Sequence, residues 1–508
     1  MARNRWLWTA GIAVVLLALF GVALRAVLPA RAASGATSGD TSSPYNLPTW
    51  WAKYQTVSAK GFAPPAPSGP TQRVTVGANV DMSNEPGPQS ETSIAIDPSS
   101  PSRLVGGSNE IIRLPMRGYF SSDSGASWGA VDLPLPPPRV NNGIDFGSDP
   151  GVAWDTRGNA YYSYIIVFFS GGQGKNNING TEMAVARSSD GGKTWTATFF
   201  DQQTGKGQFD DKPMIAVDTN PSSRFRDTIY VAWDNSNGSS SSGNNLLVSH
   251  SSDGGVTFSA PVAASDTSGG PKSVIGADPF VGPDGTLYVA WHDVHNNLIA
   301  ESSSTDGGVT FGPTHTIAAT QAAFDVGVPA QASRRALVYP ACGADTSAGA
   351  HSGTLYCSWM DQTAANGTDI FVARSTDGGA SWSAPVRAND DPTGVANDQF
   401  NQWLAVDPVT GTVDLSWNDT RNDPTHLSTD IFYTRSTDGG QTFAANVQVT
   451  TAPTNETVAG SDLGNQYGDY EGIAARGGIV HPVWTDRRAS NTALREEVFT
   501  ATITISTH

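Results

Sequence analysis

The chain has 508 residues and a formal charge of −17, from 30 Lys and Arg against 47 Asp and Glu. That balance argues against a partner bound through its phosphates, whether nucleic acid or an anionic membrane surface, because phosphates need a basic footprint. With 54 Gly, 32 Pro and only 15% charged residues, the composition suits short strands joined by many turns rather than helices or disorder.

In chain order, Arg3 and Arg5 precede an apolar run from Trp6 to Leu24, and Ala30-Arg31-Ala32 offers a cleavage site. Residues 1–32 are therefore expected to direct export, as a cleaved signal peptide or an uncleaved N-terminal membrane anchor. Residues 33–70, rich in Ala, Ser, Gly and Pro, read as a linker. The remainder, 71–508, carries a repeat.

Its most visible part is Ser-x-Asp-x-Gly-x-x-Trp/Phe, which occurs six times, at Asp123, Asp190, Asp253, Asp306, Asp377 and Asp438. Each copy follows apolar alternating segments, as in QWLAVDP, TVDLSWND, DIFYTR, STDGGQTF and NVQVT of the sixth unit. This spacing predicts four strands in a meander, with the motif as the last hairpin. First strands recur at 92–97, 150–155, 213–218, 279–284, 336–342, 402–407 and 470–475, so there are seven units. The seventh, ending in EEVFTATITIS, lacks the motif and a fourth strand, whereas QRVTVGANV (72–80) stands unpaired before the first. The expected fold is an all-β propeller of four-stranded blades, seven in number and closed by this N-terminal strand. Six blades is the alternative, if the irregular first unit forms no sheet.

In the motif hairpin the Asp carboxylate can accept turn N–H groups, the Ser hydroxyl can join it, Gly supplies a positive φ and the aromatic ring packs between sheets. Six copies suit a repeated fold better than six chemical sites. Cys342 and Cys357 lie in one unit and form either a local disulfide or two buried thiols.

These Asp boxes, DIFVARSTDGGASW (369–382) and DIFYTRSTDGGQTF (430–443) most alike, resemble the bacterial neuraminidase repeat of the sialidase superfamily over nearly all of residues 72–505. The resemblance implies a glycan or glycoconjugate as partner. It also implies an arginine triad for an acidic sugar, a tyrosine nucleophile with a carboxylate base, and hydrolysis as an exo-glycosidase. By position, Tyr470 would be the nucleophile and Asp486 or Glu471 its base. Arg113, Arg335, Arg421, Arg487 and Arg488 are the arginines available for the sugar carboxylate. Where the family's first arginine should stand, this chain has Glu91.

A second constellation points elsewhere. Glu91, Asp149, Asp278 and Asp469 precede their first strands, with Asp211 and Asp398 close to that place, and Asp234, Asp293, Asp361, Asp419 and Asp486 end second strands. In a closed propeller these would surround the mouth of the central channel. Three readings stand side by side: a Ca²⁺ or other cation site, a site for neutral or cationic ligands, and carboxylates that cap turns. No motif requires a cofactor. The expectations are thus an exported, sialidase-like, monomeric propeller acting on glycans, or a non-catalytic extracellular glycan- or protein-binding propeller with an acidic mouth.

Overall fold

The computed structural model describes residues 73–506, apart from 86, 140–144, 170–177, 206–208, 237–243, 266–273, 364–366 and 489–494. The export segment and the linker lie outside the described residues. The fold is all-β: among the described residues the only helical element is a 3-10 turn, Pro329–Gln331, and no helix is long and apolar enough to cross a membrane.

Among the described residues five four-stranded antiparallel sheets stand between two further four-stranded units, the first and the last in chain order, which a short parallel pairing of Gly87–Pro88 with Arg495–Glu496 joins into one eight-stranded sheet; these seven units are numbered below as sheets one to seven. The sixth is typical, with strands Gln399–Val406, Val413–Asp419, Asp430–Ser436 and Val447–Gln448 paired in chain order. The other first strands are Gly87–Ile96, Phe146–Trp154, Phe209–Val217, Val274–Val281, Ala341–Ala344 and Gly472–Arg476. Each lies against the first strands of the sheets before and after it, and the seventh lies against the first. The seventh sheet takes its outer strand from the other end of the domain: Arg73–Asp81 pairs antiparallel with Arg495–Ser506.

One strand is corrected. Of ALVYPAC, Ala336–Leu337 pairs with Asp325–Val326 in a separate two-stranded ladder, and the first strand of sheet five starts only at Ala341. Pro340 intervenes, and a proline has no N–H to give a ladder. Cys342 and Cys357 stand opposite each other in this sheet and form a disulfide.

Between sheets the core is aromatic. The second strands of sheets three to seven bury Trp233, Trp291, Trp359, Trp417 and Trp484 completely or nearly so, and this burial of large apolar area is the main drive for stacking one sheet on the next.

The Asp boxes are built alike. Ser436 Oγ donates to Asp438 Oδ1 at 2.7 Å, Gln441 N and Thr442 N donate to the same oxygen at 3.0 Å, and Thr442 Oγ1 donates to Oδ2 at 2.6 Å. The last contact recurs from Ser127, Thr194, Thr257, Thr310 and Ser381, so the hydroxyl residue before the aromatic belongs to the motif. Each box also reaches the preceding sheet. A Cβ on Gly192 would stand 2.8 Å from Phe120, and one on Gly125 of sheet one 3.3 Å from His481 of sheet seven.

Replacing Asp438 by Ala removes four hydrogen bonds from one hairpin and is expected to lower stability by ~1–2 kcal/mol. The urea midpoint checks this; an unchanged midpoint would mean that the glycines alone hold the turn.

Candidate functional site: the acidic centre

Five first strands carry the same irregularity near their start, a two-residue bulge after Ser90, Ser148, Asp211, Ile275 and Phe400. The first bulged residue is left-handed in each: Glu91 (φ +55°), Asp149 (+62°), Lys212 (+51°), Gly276 (+78°) and Asn401 (+50°). A bulge bends its strand and re-aims its side chain. The bulges bring Glu91, Asp149 and Lys212 into one electrostatic cluster with Asp211, Asp234, Asp278 and Asp469.

Three of these six carboxylates satisfy backbone donors of the next sheet. Asp149 Oδ2 accepts Lys212 N at 3.1 Å, Asp234 Oδ2 accepts Gly276 N at 2.9 Å, and Asp278 Oδ2 accepts Cys342 N at 2.6 Å. Asn109 ties the first two sheets together, donating to Glu91 Oε2 at 2.5 Å while its own oxygen accepts Asp149 N at 2.7 Å.

Two connections close over this end. The 3-10 turn and its neighbours meet the long segment before sheet seven through Gln466, whose Oε1 accepts Ser333 N and Arg334 N, and through Gln331, which donates to Gly468 O at 2.8 Å. Arg334 is thereby held bidentate on Asp469, at 2.7 and 2.5 Å, and lies 3.6 Å from Glu91. Trp403, Asp211 and Asp469 are half-buried here, whereas Glu91, Asp149, Lys212, Asp234 and Asp278 are buried.

Burial pushes the Glu91 carboxyl well above the usual range, and the charges of Asp469 and Asp149 add to it. Asp211 is raised likewise by burial and then by Asp149. Asp149 raises both, because neighbouring carboxylates disfavour each other's charge. Asp234 and Asp278 are pushed up by burial to about 7, against the pull of backbone donors and Lys212.

Several sequence-predicted groupings are not brought together. Tyr470 is buried with its hydroxyl 3.4 Å from Pro150 O. Asp486 instead accepts Trp484 Nε1 at 2.8 Å and pairs with Arg488, and Glu471 accepts Thr485 N at 3.1 Å. Burial and the acids Glu91 and Asp149 raise the Tyr470 phenol well above its ordinary value, the opposite of an activated nucleophile. The five arginines do not form a triad, because each already has carboxylates of its own. Arg113 pairs with Glu85 and Asp132, Arg335 with Asp325, Arg421 with Asp419 and Asp390, Arg487 with Glu496, and Arg488 with Asp486.

Of the six acids read as cation ligands, Glu91, Asp149, Asp211, Asp278 and Asp469 share the centre. Asp398 stands apart, against Thr368 and with His426 and Asp419 as its charged neighbours. Among the described residues no group of three or more His, Cys, Asp or Glu is disposed to hold a metal ion. The physical reason lies in the oxygens, which are spent on backbone N–H groups and on Arg334.

Sequence reasoning missed Arg334, Lys212, Tyr339 and Trp403. For Lys212 a signal existed: aligning SETSIAID, SDPGVAWD and DKPMIAVD on their last Asp puts Lys212 in the column of Glu91 and Asp149.

No family model and no curated protein matches the chain. Among solved structures it is similar to a protein of unknown function from Dyadobacter fermentans, at 12% identity over 85% of this chain and 99% of that one, with a TM-score of 0.45. The NanB sialidase of Streptococcus pneumoniae is similar at 11% identity over 72% and 68%, TM-score 0.46. An alpha-L-arabinofuranosidase of Fusarium graminearum is similar at 13% over 71% and 98%, TM-score 0.46.

The shifted carboxyls predict the pH dependence of stability. Asp123, Asp190 and Asp253 are lowered to about 2, Asp123 and Asp253 chiefly by box hydrogen bonds, Asp190 by those bonds acting against its burial. What they contribute is present above about pH 4 and lost as pH falls through 2. Asp234, Asp278, Glu110 and Asp414 are raised to about 7, and Glu301 and Glu471 to about 8, all by burial. Their folded forms hold protons more tightly than the unfolded chain, so stability falls as pH rises from about 4 to 8. The Tm is expected to peak near pH 4–5 in a calorimetric series; a maximum at pH 7–8 would contradict the buried-acid account.

Proposed function

We propose that the chain is a seven-bladed Asp-box propeller closed by its N-terminal strand. On this reading it is exported, held at or released from the cell surface according to the fate of residues 1–32, and acts on glycans where its first strands begin. The observation that carries this reading is the row Asp211, Asp149 and Glu91, in which burial and then neighbouring acids, Asp149 among them, hold Glu91 and Asp211 well above the usual carboxylate range, beside half-buried Trp403. A protonated carboxyl can protonate a departing glycosidic oxygen while an ionised neighbour draws a proton from water, which is the chemistry of glycoside hydrolysis. Trp403 offers a sugar an apolar face.

The sugar on this reading is uncharged. Six carboxyl groups face only Lys212 and Arg334 in the centre, and Arg334 is already neutralised by Asp469. A sialic acid would meet repulsion there and no free guanidinium. A second reading, a binding propeller without turnover, is favoured by the use of Asp149, Asp234 and Asp278 as backbone caps.

The test is turnover of fluorogenic glycosides, neutral and sialylated, by the full chain. Neutral glycosides are expected to be cleaved, with losses of about 100-fold or more in Glu91→Gln and Asp149→Asn and near-normal rates in Tyr470→Phe. Cleavage of the sialoside that disappears in Tyr470→Phe would overturn this reading in favour of a tyrosine nucleophile. Saturable glycan binding without turnover would establish the second reading.

A further inference from the structure

Lys212 is 3% exposed, and its ammonium has no hydrogen-bond partner within the protein. An ammonium so placed has lost its water without regaining acceptors for its three N–H groups, which is unfavourable unless other groups compensate. Three aromatic rings do so here. Nζ lies 4.3 Å from the ring centroid of Tyr339, 4.8 Å from that of Tyr470 and 5.5 Å from that of Trp403, all within the range of cation–π attraction. Burial lowers the Lys212 pKa, and the carboxyls of Asp234, Asp278, Asp469 and Glu91 act against that, favouring the charged form.

The cage is built from separate parts of the chain, each fixed independently. Tyr339 O accepts Gln402 Nε2 at 2.8 Å, and the Tyr470 hydroxyl rests on Pro150 O. Trp403 and Tyr470 pack with centroids 5.9 Å apart. Room for the Tyr339 ring exists because sheet four has Gly276 at its bulge, where a Cβ would stand 2.5 Å from that ring. Sheet three has Lys212 at the same step, with φ +51°.

Nothing in these contacts depends on the cation being tied to the backbone. We propose that the centre of the protein is an organic-cation site, for a primary or methylated alkylammonium, which Lys212 fills in cis. It takes this class because three ring faces and a carboxylate surround attract a positive charge while offering it no fixed hydrogen-bond geometry. The proposal is independent of whether the protein hydrolyses glycans.

The lysine side chain is n-butylammonium attached to a glycine, and glycine accepts the left-handed backbone at this position without strain. The full-length Lys212→Gly variant is therefore expected to bind n-butylammonium stoichiometrically in calorimetry and to gain Tm from it. It should prefer that ion to butan-1-ol, which has the same shape without the charge, by about tenfold or more. Wild type and Lys212→Met, in which the cage is already filled, are expected to bind neither. Equal effects of the alcohol and the ammonium would reveal an apolar hole and overturn the proposal, as would binding of n-butylammonium to wild type or its failure to bind a folded Lys212→Gly. Should Lys212→Gly fail to fold in sodium chloride, recovery in n-butylammonium chloride but not in butan-1-ol supports the cage, and recovery in neither refutes it.

Discussion

A sheet edge presents unpaired N–H and C=O groups, and here Arg73–Asp81 covers that edge of the last sheet by pairing with Arg495–Ser506. The first strands lie against one another from sheet to sheet, and five of them carry a bulge near their start. A bulge frees backbone N–H groups from the ladder, and buried donors must find acceptors. Asp149 and Asp234 are such acceptors, for the bulge N–H groups of Lys212 and Gly276. The acidity of the centre is therefore first a requirement of the fold, and only then a resource for chemistry.

The strands and the Asp boxes were legible in the sequence because each is decided within about eight residues, by alternation and by turn chemistry. Even there the Ser or Thr before each aromatic passed unnoticed, although SW, TW and TF stand in every copy. The bulges were not legible. Glu91, Asp149, Lys212 and Asn401 carry no mark of a positive φ, since their conformation is imposed by the neighbouring sheets. Arg334 and Tyr339 reach the centre from a connection whose course depends on Gln331 and Gln466, contacts that span more than a hundred residues.

The arginine reading failed for a local reason. Trp417, Asp419 and Arg421 repeat as Trp484, Asp486 and Arg488, and in both the Asp accepts the indole N–H and pairs with the Arg two residues on. Two copies of one arrangement identify a strand-end clasp. An arginine held that way has little left for a ligand, and the guanidinium that does approach the centre, Arg334, arrives already matched to Asp469.

The strand that completes sheet seven also sets an order of events. Ser83, just beyond it, binds Glu497 across 414 positions of sequence. On a ribosome, residues 73–81 emerge early and must wait for residues 495–506 before they have a partner. During that interval sheets two to six can form from local segments, while the first and last stay unsealed. Because that partner is made last, the direction of synthesis, not only stability, decides when Arg73–Asp81 is paired.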